Sequence, residues 1–284
     1  MATARVFFDG TLARPQLDHP ECVAVHPDGS LWCGGESGQI FRIAADGSRL
    51  DAVGSTDGFV LGVAFGPDAE LYACDLRHRT VFRVDTVSGA VTRFADGAPE
   101  RPFVTPNFPV VAPDGSLHVS DSNVQGEPGP GVYRIAPDGS GTLWFHDALN
   151  FANGLALSPD GAYVYVVETF RPGVSRIPIR PDGSAGPLES VVELAGSLPD
   201  GIAFGPDGLL YVGCYEPSQV LRVDPDGGVT TVVADPTAHL LCHPTNLAFR
   251  GAELFTSNLG RWHISVIDGW AAPADVADRT RSAM

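Results

Sequence analysis

Residues 153–169 read NGLALSPDGAYVYVVET: a polar residue, an apolar strand, a Ser-Pro-Asp-Gly corner, then a second strand of largely alternating side chains. Proline pre-sets φ at the first corner residue and glycine accepts the left-handed conformation that closes a hairpin, so the segment predicts two antiparallel strands. The same grammar recurs from Glu21 (ECVAVHPDGSLWCGG), Leu61 (LGVAFGPDAELYACD), Asn107 (NFPVVAPDGSLHVSDS), Asp200 (DGIAFGPDGLLYVGCY) and Thr245 (TNLAFRGAELFTSN). With the turns in register, Pro27, Pro67, Pro113, Pro159, Pro206 and Gly251 share one position, spaced by 40, 46, 46, 47 and 45 residues. That is the period of a four-stranded propeller blade.

Between the paired strands, runs such as 39–43 (QIFRI), 80–84, 131–135, 174–177 and 219–223 read as third strands, and 91–94 and 229–233 as fourth strands. No segment sustains a 3.6-residue apolar period. The expected fold is therefore all-β: a six-bladed β-propeller with four antiparallel strands per blade. The sixth repeat has a third strand at 263–267 but no fourth, and residues 5–8 have the length and composition to supply it, closing the ring and covering an open edge. Residues 1–271 are expected to form this single domain, and 272–284 a C-terminal tail.

Thirty-four acidic against 18 basic residues give a net charge of −16, which disfavours nucleic acid and anionic membrane as partners. Apolar runs are only strand-sized, too short to span a bilayer. The opening MATARVFFDG has no basic region followed by an apolar stretch, so a secretory signal is not expected and the cytoplasm is the default location. Five scattered cysteines without CxxC spacing read as reduced, packed thiols rather than a zinc or disulfide framework.

In a propeller the innermost strand of each blade lines the central channel. Residues six before the turn are then equivalent around the axis: Glu21, Leu61, Asn107, Asn153, Asp200 and Thr245. Four of them carry a carboxylate or carboxamide oxygen. Two anionic and two neutral hard donors suit Ca²⁺ or Mg²⁺, and without an ion Glu21 and Asp200 would repel one another. The competing explanation is that each polar residue caps its own strand. Two residues further back, His19, Phe59, Thr105, Phe151, Leu198 and His243 should ring the mouth, and its phenylalanines and leucine favour a ligand with an apolar portion. His19 and His243 fall in blades that become neighbours on ring closure; they read either as a general base and acid or as strand-end histidines. Cys22 and Cys242 alternate into the blades and are treated as packing.

The blade pattern with Glu, Asn, Asn and Asp in the first, third, fourth and fifth repeats resembles the senescence marker protein / gluconolactonase family of six-bladed propellers, which includes luciferin-regenerating enzyme. The resemblance implies one divalent cation bound by Glu21, Asn107, Asn153 and Asp200: Ca²⁺ first, with Mg²⁺, Mn²⁺ or Zn²⁺ as other occupants. It also implies hydrolysis of a lactone, with Asp200 as base or nucleophile and a small molecule as partner of a monomer or weak homo-oligomer. The family's Arg-x-Asn-Asp reads Thr105-Pro106-Asn107-Phe108, so the arginine that sugar-lactone members turn toward substrate is replaced. Phe108 accordingly joins Phe59, Thr105, Phe151 and Leu198 as an expected substrate contact. Segments such as ECVAVHPDGSLWCGG lean toward the strictosidine synthase-like branch, which keeps open a metal-dependent lyase, isomerase or condensing enzyme. A non-catalytic binding propeller is a further alternative. The segment 122–130 (SNVQGEPGP) reads as a lid or as a plain loop.

Overall fold

The computed structural model describes residues 2–270. Each Pro-Asp-Gly corner closes a hairpin: Gly29, Gly115, Gly161 and Gly208 take left-handed φ values between 70° and 85° and bond back to His26, Ala112, Ser158 and Gly205. The aspartate side chain of each corner accepts the N–H two residues on, as from Asp114 to Ser116 (3.0 Å), which holds the corner without help from the rest of the protein.

These hairpins extend into antiparallel sheets of four. Blade 1 comprises Ala24–Val25, Leu31–Gly34, Gln39–Ile43 and Leu50–Ser55; blade 2 Val60–Phe65, Leu71–Asp75, Thr80–Val84 and Val91–Ala95; blade 3 Pro106–Val111, Leu117–Asp121, Gly129–Ile135 and Gly141–Leu149. Blade 4 comprises Ala152–Leu157, Tyr163–Glu168, Gly173–Pro178 and Glu189–Glu193, and blade 5 Leu198–Phe204, Leu210–Glu216, Gln219–Val223 and Val229–Ala234. Blade 6 takes Pro244–Arg250, Glu253–Asn258 and His263–Asp268 from the C-terminal end and Thr3–Asp9 from the N-terminal end as its outer strand. The expected closure is thus observed, with Arg5 opposite Val266 and Phe8 opposite Ile264. The expected tail beyond residue 271 lies outside the described residues.

The innermost strands of consecutive blades touch in one cycle of six, including blade 6 against blade 1. The core is correspondingly divided into six apolar clusters, each filled by two neighbouring blades. Trp32 and Ile40 of blade 1 pack with Val60 and Leu71 of blade 2, and Leu31 and Phe41 of blade 1 pack with Phe255 and Ile264 of blade 6. No helix among the described residues is long and apolar enough to cross a membrane.

One irregularity shapes the axis. In blades 2 to 6 the ladder between the first two strands slips just after the innermost strand begins, so that two residues oppose one: between Val60 and Val63, Pro106 and Pro109, Ala152 and Leu155, Pro199 and Ile202, and Pro244 and Leu247. The first residue of each bulge is a ring position: Leu61, Asn107, Asn153, Asp200 or Thr245. The second is often glycine, because it abuts the next blade: a Cβ on Gly154 would lie 2.6 Å from the Gly201 Cα and 2.7 Å from the Asp200 carbonyl oxygen.

Candidate functional site

The bulges aim the first residue of each slip at the axis. Glu21, Asn107, Asn153 and Asp200 are 3 to 6% exposed. The two asparagines are held by the same device. The Asn153 amide Nδ2 donates to Thr169 Oγ1 (3.1 Å), whose hydroxyl donates to the carbonyl of Pro199 in the next blade (2.8 Å). The Asn107 Nδ2 donates to Ser122 Oγ (3.0 Å), which donates to the Ala152 carbonyl (2.7 Å). Each hydroxyl residue directly follows its second strand, and its own N–H bonds the carbonyl of the mouth residue, Thr105 for Ser122 and Phe151 for Thr169. A planar amide fixed through its nitrogen presents its oxygen on the opposite edge. On the far side of the ring, Thr245 Oγ1, Asn246 Nδ2 and Ser257 Oγ all donate to the Glu21 carbonyl, which pins that backbone and uses up Thr245. Leu61, the remaining ring position, has no donor or acceptor to offer.

Comparison with the other buried acids separates site from scaffold. Asp121 accepts N–H groups from Val104, Thr105 and Asn123 at 2.7 to 2.9 Å; Asp75 does so from Phe59 and His78; Glu168 accepts the Asn150 N–H. These carboxylates end second strands and tie down the loops that lead into the first strands. Glu21 Oε2, Asp200 Oδ1 and Asn153 Oδ1 are equally buried but have no hydrogen-bond partner. Burial pushes both carboxyl groups well above the usual range, and the charge of Asp200 pushes Glu21 further; the Asn153 amide beside Asp200 works in the opposite direction. Strand capping does not account for these oxygens. Two buried carboxyl groups, each with an oxygen lacking a partner, and a bare amide oxygen make up a hard-donor set suited to a divalent cation, which their chemistry fits.

The six expected mouth residues are all half-buried, as a rim requires. Three of them, His19, Phe151 and His243, occupy left-handed backbone (φ 34°, 63° and 52°), a costly conformation for side chains of this size. Phe108 is placed differently: its ring packs with Val132, Trp144 and Phe145 in the cluster between blades 3 and 4. The bulge explains this, since it turns the residue after Asn107 toward the blade. Cys22 and Cys242 are buried free thiols.

The two histidines meet different partners. His243 Nδ1 lies 3.0 Å from the Tyr215 carbonyl oxygen and its ring stacks on the Tyr215 ring, with centroids 4.3 Å apart and planes 17° apart. Nδ1 also lies 3.3 Å from Glu216 Oε1, and since both oxygens only accept, Nδ1 carries a proton and Nε2 is left for other partners. His19 Nδ1 lies 3.5 Å from Asp18 Oδ1 and 3.4 Å from Glu36 Oε2, and its ring stands 4.8 Å from that of Trp262. Tyr215, Glu36 and the bracing Ser122 and Thr169 went unrecognised in the sequence. Burial raises the Tyr215 phenol, and the charges of Glu21, Glu216 and Asp200 raise it further. The available signal was the position after the acid that ends each second strand, occupied by Ser122 and Thr169.

Residues 55–257 match the model of the SMP-30/Gluconolactonase/LRE-like region, and residues 11–43 match that of the strictosidine synthase-like N-terminal region. Among relatives, a 6-deoxy-6-sulfogluconolactonase of Pseudomonas putida is 37% identical over 108 residues, covering 37% of this chain and 36% of that protein. A gluconolactonase of Zymomonas mobilis is 27% identical over 219 residues, covering 69% and 60%. The chain thus spans between about a third and three-fifths of these relatives. A gluconolactonase structure from Xanthomonas campestris superposes with a TM-score of 0.78 at 22% identity, over 94% of this chain and 89% of that one, a likeness of fold. With the matched region covering most of the propeller, including Asn107, Asn153 and Asp200, the chain belongs to the SMP-30/gluconolactonase/LRE-like family.

Proposed function

We propose that this protein is a lactone hydrolase acting at the axial mouth, with one divalent cation as cofactor and a small lactone as substrate. The carrying observation is the set of buried oxygens without partners on Glu21, Asn153 and Asp200, in a chain whose relatives are named for lactonase activity. Glu21, Asn107, Asn153 and Asp200 would hold the cation, Ca²⁺ by donor type. When bound, such an ion polarises a lactone carbonyl and stabilises the charge that develops on its oxygen. Asp200 accepts the proton of the attacking water at its carboxylate, or attacks directly. His243 is positioned to move a proton through Nε2, because Nδ1 is committed to the Tyr215 carbonyl. His19, set between two rim carboxylates, is the second proton carrier. Phe59, Thr105, Phe151 and Leu198 bound the mouth and limit water around the ring being opened.

The test is metal content by elemental mass spectrometry together with acid release from a lactone panel, with and without chelator. About one divalent ion per chain and chelator-sensitive turnover are expected, with turnover abolished in Asp200→Asn. An active, metal-loaded Asn variant would remove Asp200 as base or nucleophile. A second reading, a lyase or condensing enzyme, is favoured by the strictosidine synthase-like match, which includes Glu21. Incorporation of ¹⁸O from solvent into product separates the two, since only hydrolysis requires it.

A further inference from the structure

Over blade 4 the rim encloses a small hollow of about 40 Å³ lined by Gly126, Glu127, Pro128, Asn150, Phe151 and Phe170. We propose that this hollow is a subsite for a short, uncharged alkyl substituent of the substrate, so that the preferred lactone carries a side chain of about three carbons rather than a polyol. The inference rests on the lactonase reading above.

Its walls adjoin the axial residues along the chain. Phe151 lies two residues before Asn153, and Phe170 directly follows Thr169, whose hydroxyl holds the Asn153 amide. The two rings meet with centroids 4.8 Å apart and planes tilted by 46°. Backbone bonds from Thr169 to Phe151 (3.2 Å) and from Phe170 to Asn150 (3.3 Å) fix their relation. Phe170 nevertheless remains 45% exposed, an aromatic face that the fold leaves uncovered beside the mouth. Phe151 is held there in left-handed backbone, as are His19 and His243 at the equivalent positions of their blades.

The opposite wall is tied by hydrogen bonds within the 123–128 loop. Asn123 Nδ2 donates to the carbonyls of Glu127 (3.2 Å) and Pro128 (3.5 Å), and the Glu127 N–H donates to Val124 (2.9 Å). Asn150 directs its backbone N–H and side-chain amide toward Glu168, so its polar end is engaged. Glu127 is exposed and adds a negative charge to the lip, which opposes anionic substituents. A hollow of about 40 Å³ has room for only a few heavy atoms.

The experiment measures kcat/KM for γ-lactones bearing hydrogen, methyl, ethyl, propyl or butyl at the ring carbon, beside glucono-δ-lactone. In parallel, calorimetry measures binding of 2-methyl-, 2-ethyl- and 2-propylcyclopentanone, which cannot be hydrolysed. Both series should strengthen by about fourfold per methylene up to propyl, and the lactone series should level off at butyl. In Phe170→Ala, whose melting temperature reports folding, the gain should fall below about twofold per methylene. Turnover with no dependence on chain length would overturn the subsite and leave the lactonase reading standing. Absence of turnover, with ketone binding that follows chain length and needs Phe170, would uphold the subsite and remove the lactonase reading. Flat ketone binding without turnover would overturn both.

Discussion

Asp121, at the end of the second strand of blade 3, and Asp200, near the start of the first strand of blade 5, are both buried, yet three backbone N–H groups meet one and none meets an oxygen of the other. That difference sets their thermodynamics. A carboxyl group whose folded pKa is raised contributes its stability below its unfolded pKa and loses it as pH rises toward the folded value. Glu21 and Asp200 are both shifted upward, so the ion-free protein should lose stability from about pH 4 upward through this pair. In chelator at pH 7, Glu21→Gln should therefore melt above wild type, by more than about 1 kcal/mol, the equivalent of one pKa unit. Added Ca²⁺ should raise wild type and hardly move the variant, and the gap in chelator should close near pH 4. Thermal melts at the two pH values check this; a variant that melts like wild type under every condition would count against the donor set. At this scale the ring residues were legible because each turn provides a fixed point to count from. The braces Ser122 and Thr169 were not, because a serine or threonine following a strand looks the same whether or not an amide lies beside it.

At the scale of elements, the corner position after Pro-Asp is glycine in four blades and Ala69 in blade 2, where φ is 61° and the N–H still bonds back to Gly66 (3.1 Å). An L-residue with a Cβ pays roughly 1 kcal/mol for that conformation. Ala69→Gly should stabilise the protein by about 0.5–1 kcal/mol, a rise of roughly 2–3 °C in melting temperature read by calorimetry. A fall would show that glycine's greater freedom in the unfolded chain outweighs the relief. The bulges that open the innermost strands were not anticipated. Their trace is the glycine at 62, 154 and 201, whose need becomes evident only once the neighbouring blade stands against it. Three third strands, Gln39–Ile43, Thr80–Val84 and Gln219–Val223, keep their expected limits, whereas Gly129–Ile135, Gly173–Pro178 and the fourth strands Val91–Ala95 and Val229–Ala234 run one or two residues further, since ladder pairing extends past the apolar run.

For the whole molecule, the ring depends on one strand borrowed from the other end of the chain. Thr3–Asp9 pairs with His263–Asp268, and Phe7 meets Phe255 edge-on with centroids 4.9 Å apart. Arg250 lies over both rings and donates to carbonyls of Gly29 and Ala45, so the seam is bound to blade 1 as well. Deleting residues 2–9 should cost on the order of 5 kcal/mol, mainly through Phe7 and Phe8. It should also bare the edge of His263–Asp268 and promote concentration-dependent association. Calorimetry and sedimentation would register both; an unchanged melt and a monodisperse species would mean that the latch is dispensable.

Local chemistry suffices for the hairpins, the repeat and its count, because Pro, Asp and Gly act on backbone within a few residues and alternation marks which face is buried. The same register identifies the ring of oxygen-bearing residues before any tertiary contact is known. Which acids are satisfied and which are bare, where Tyr215 and Glu36 stand, and why Phe108 leaves the mouth are decided only by folding. Each depends on a partner about fifteen residues or a full blade away, and separations of that kind are set by ring closure rather than by the composition of any one strand.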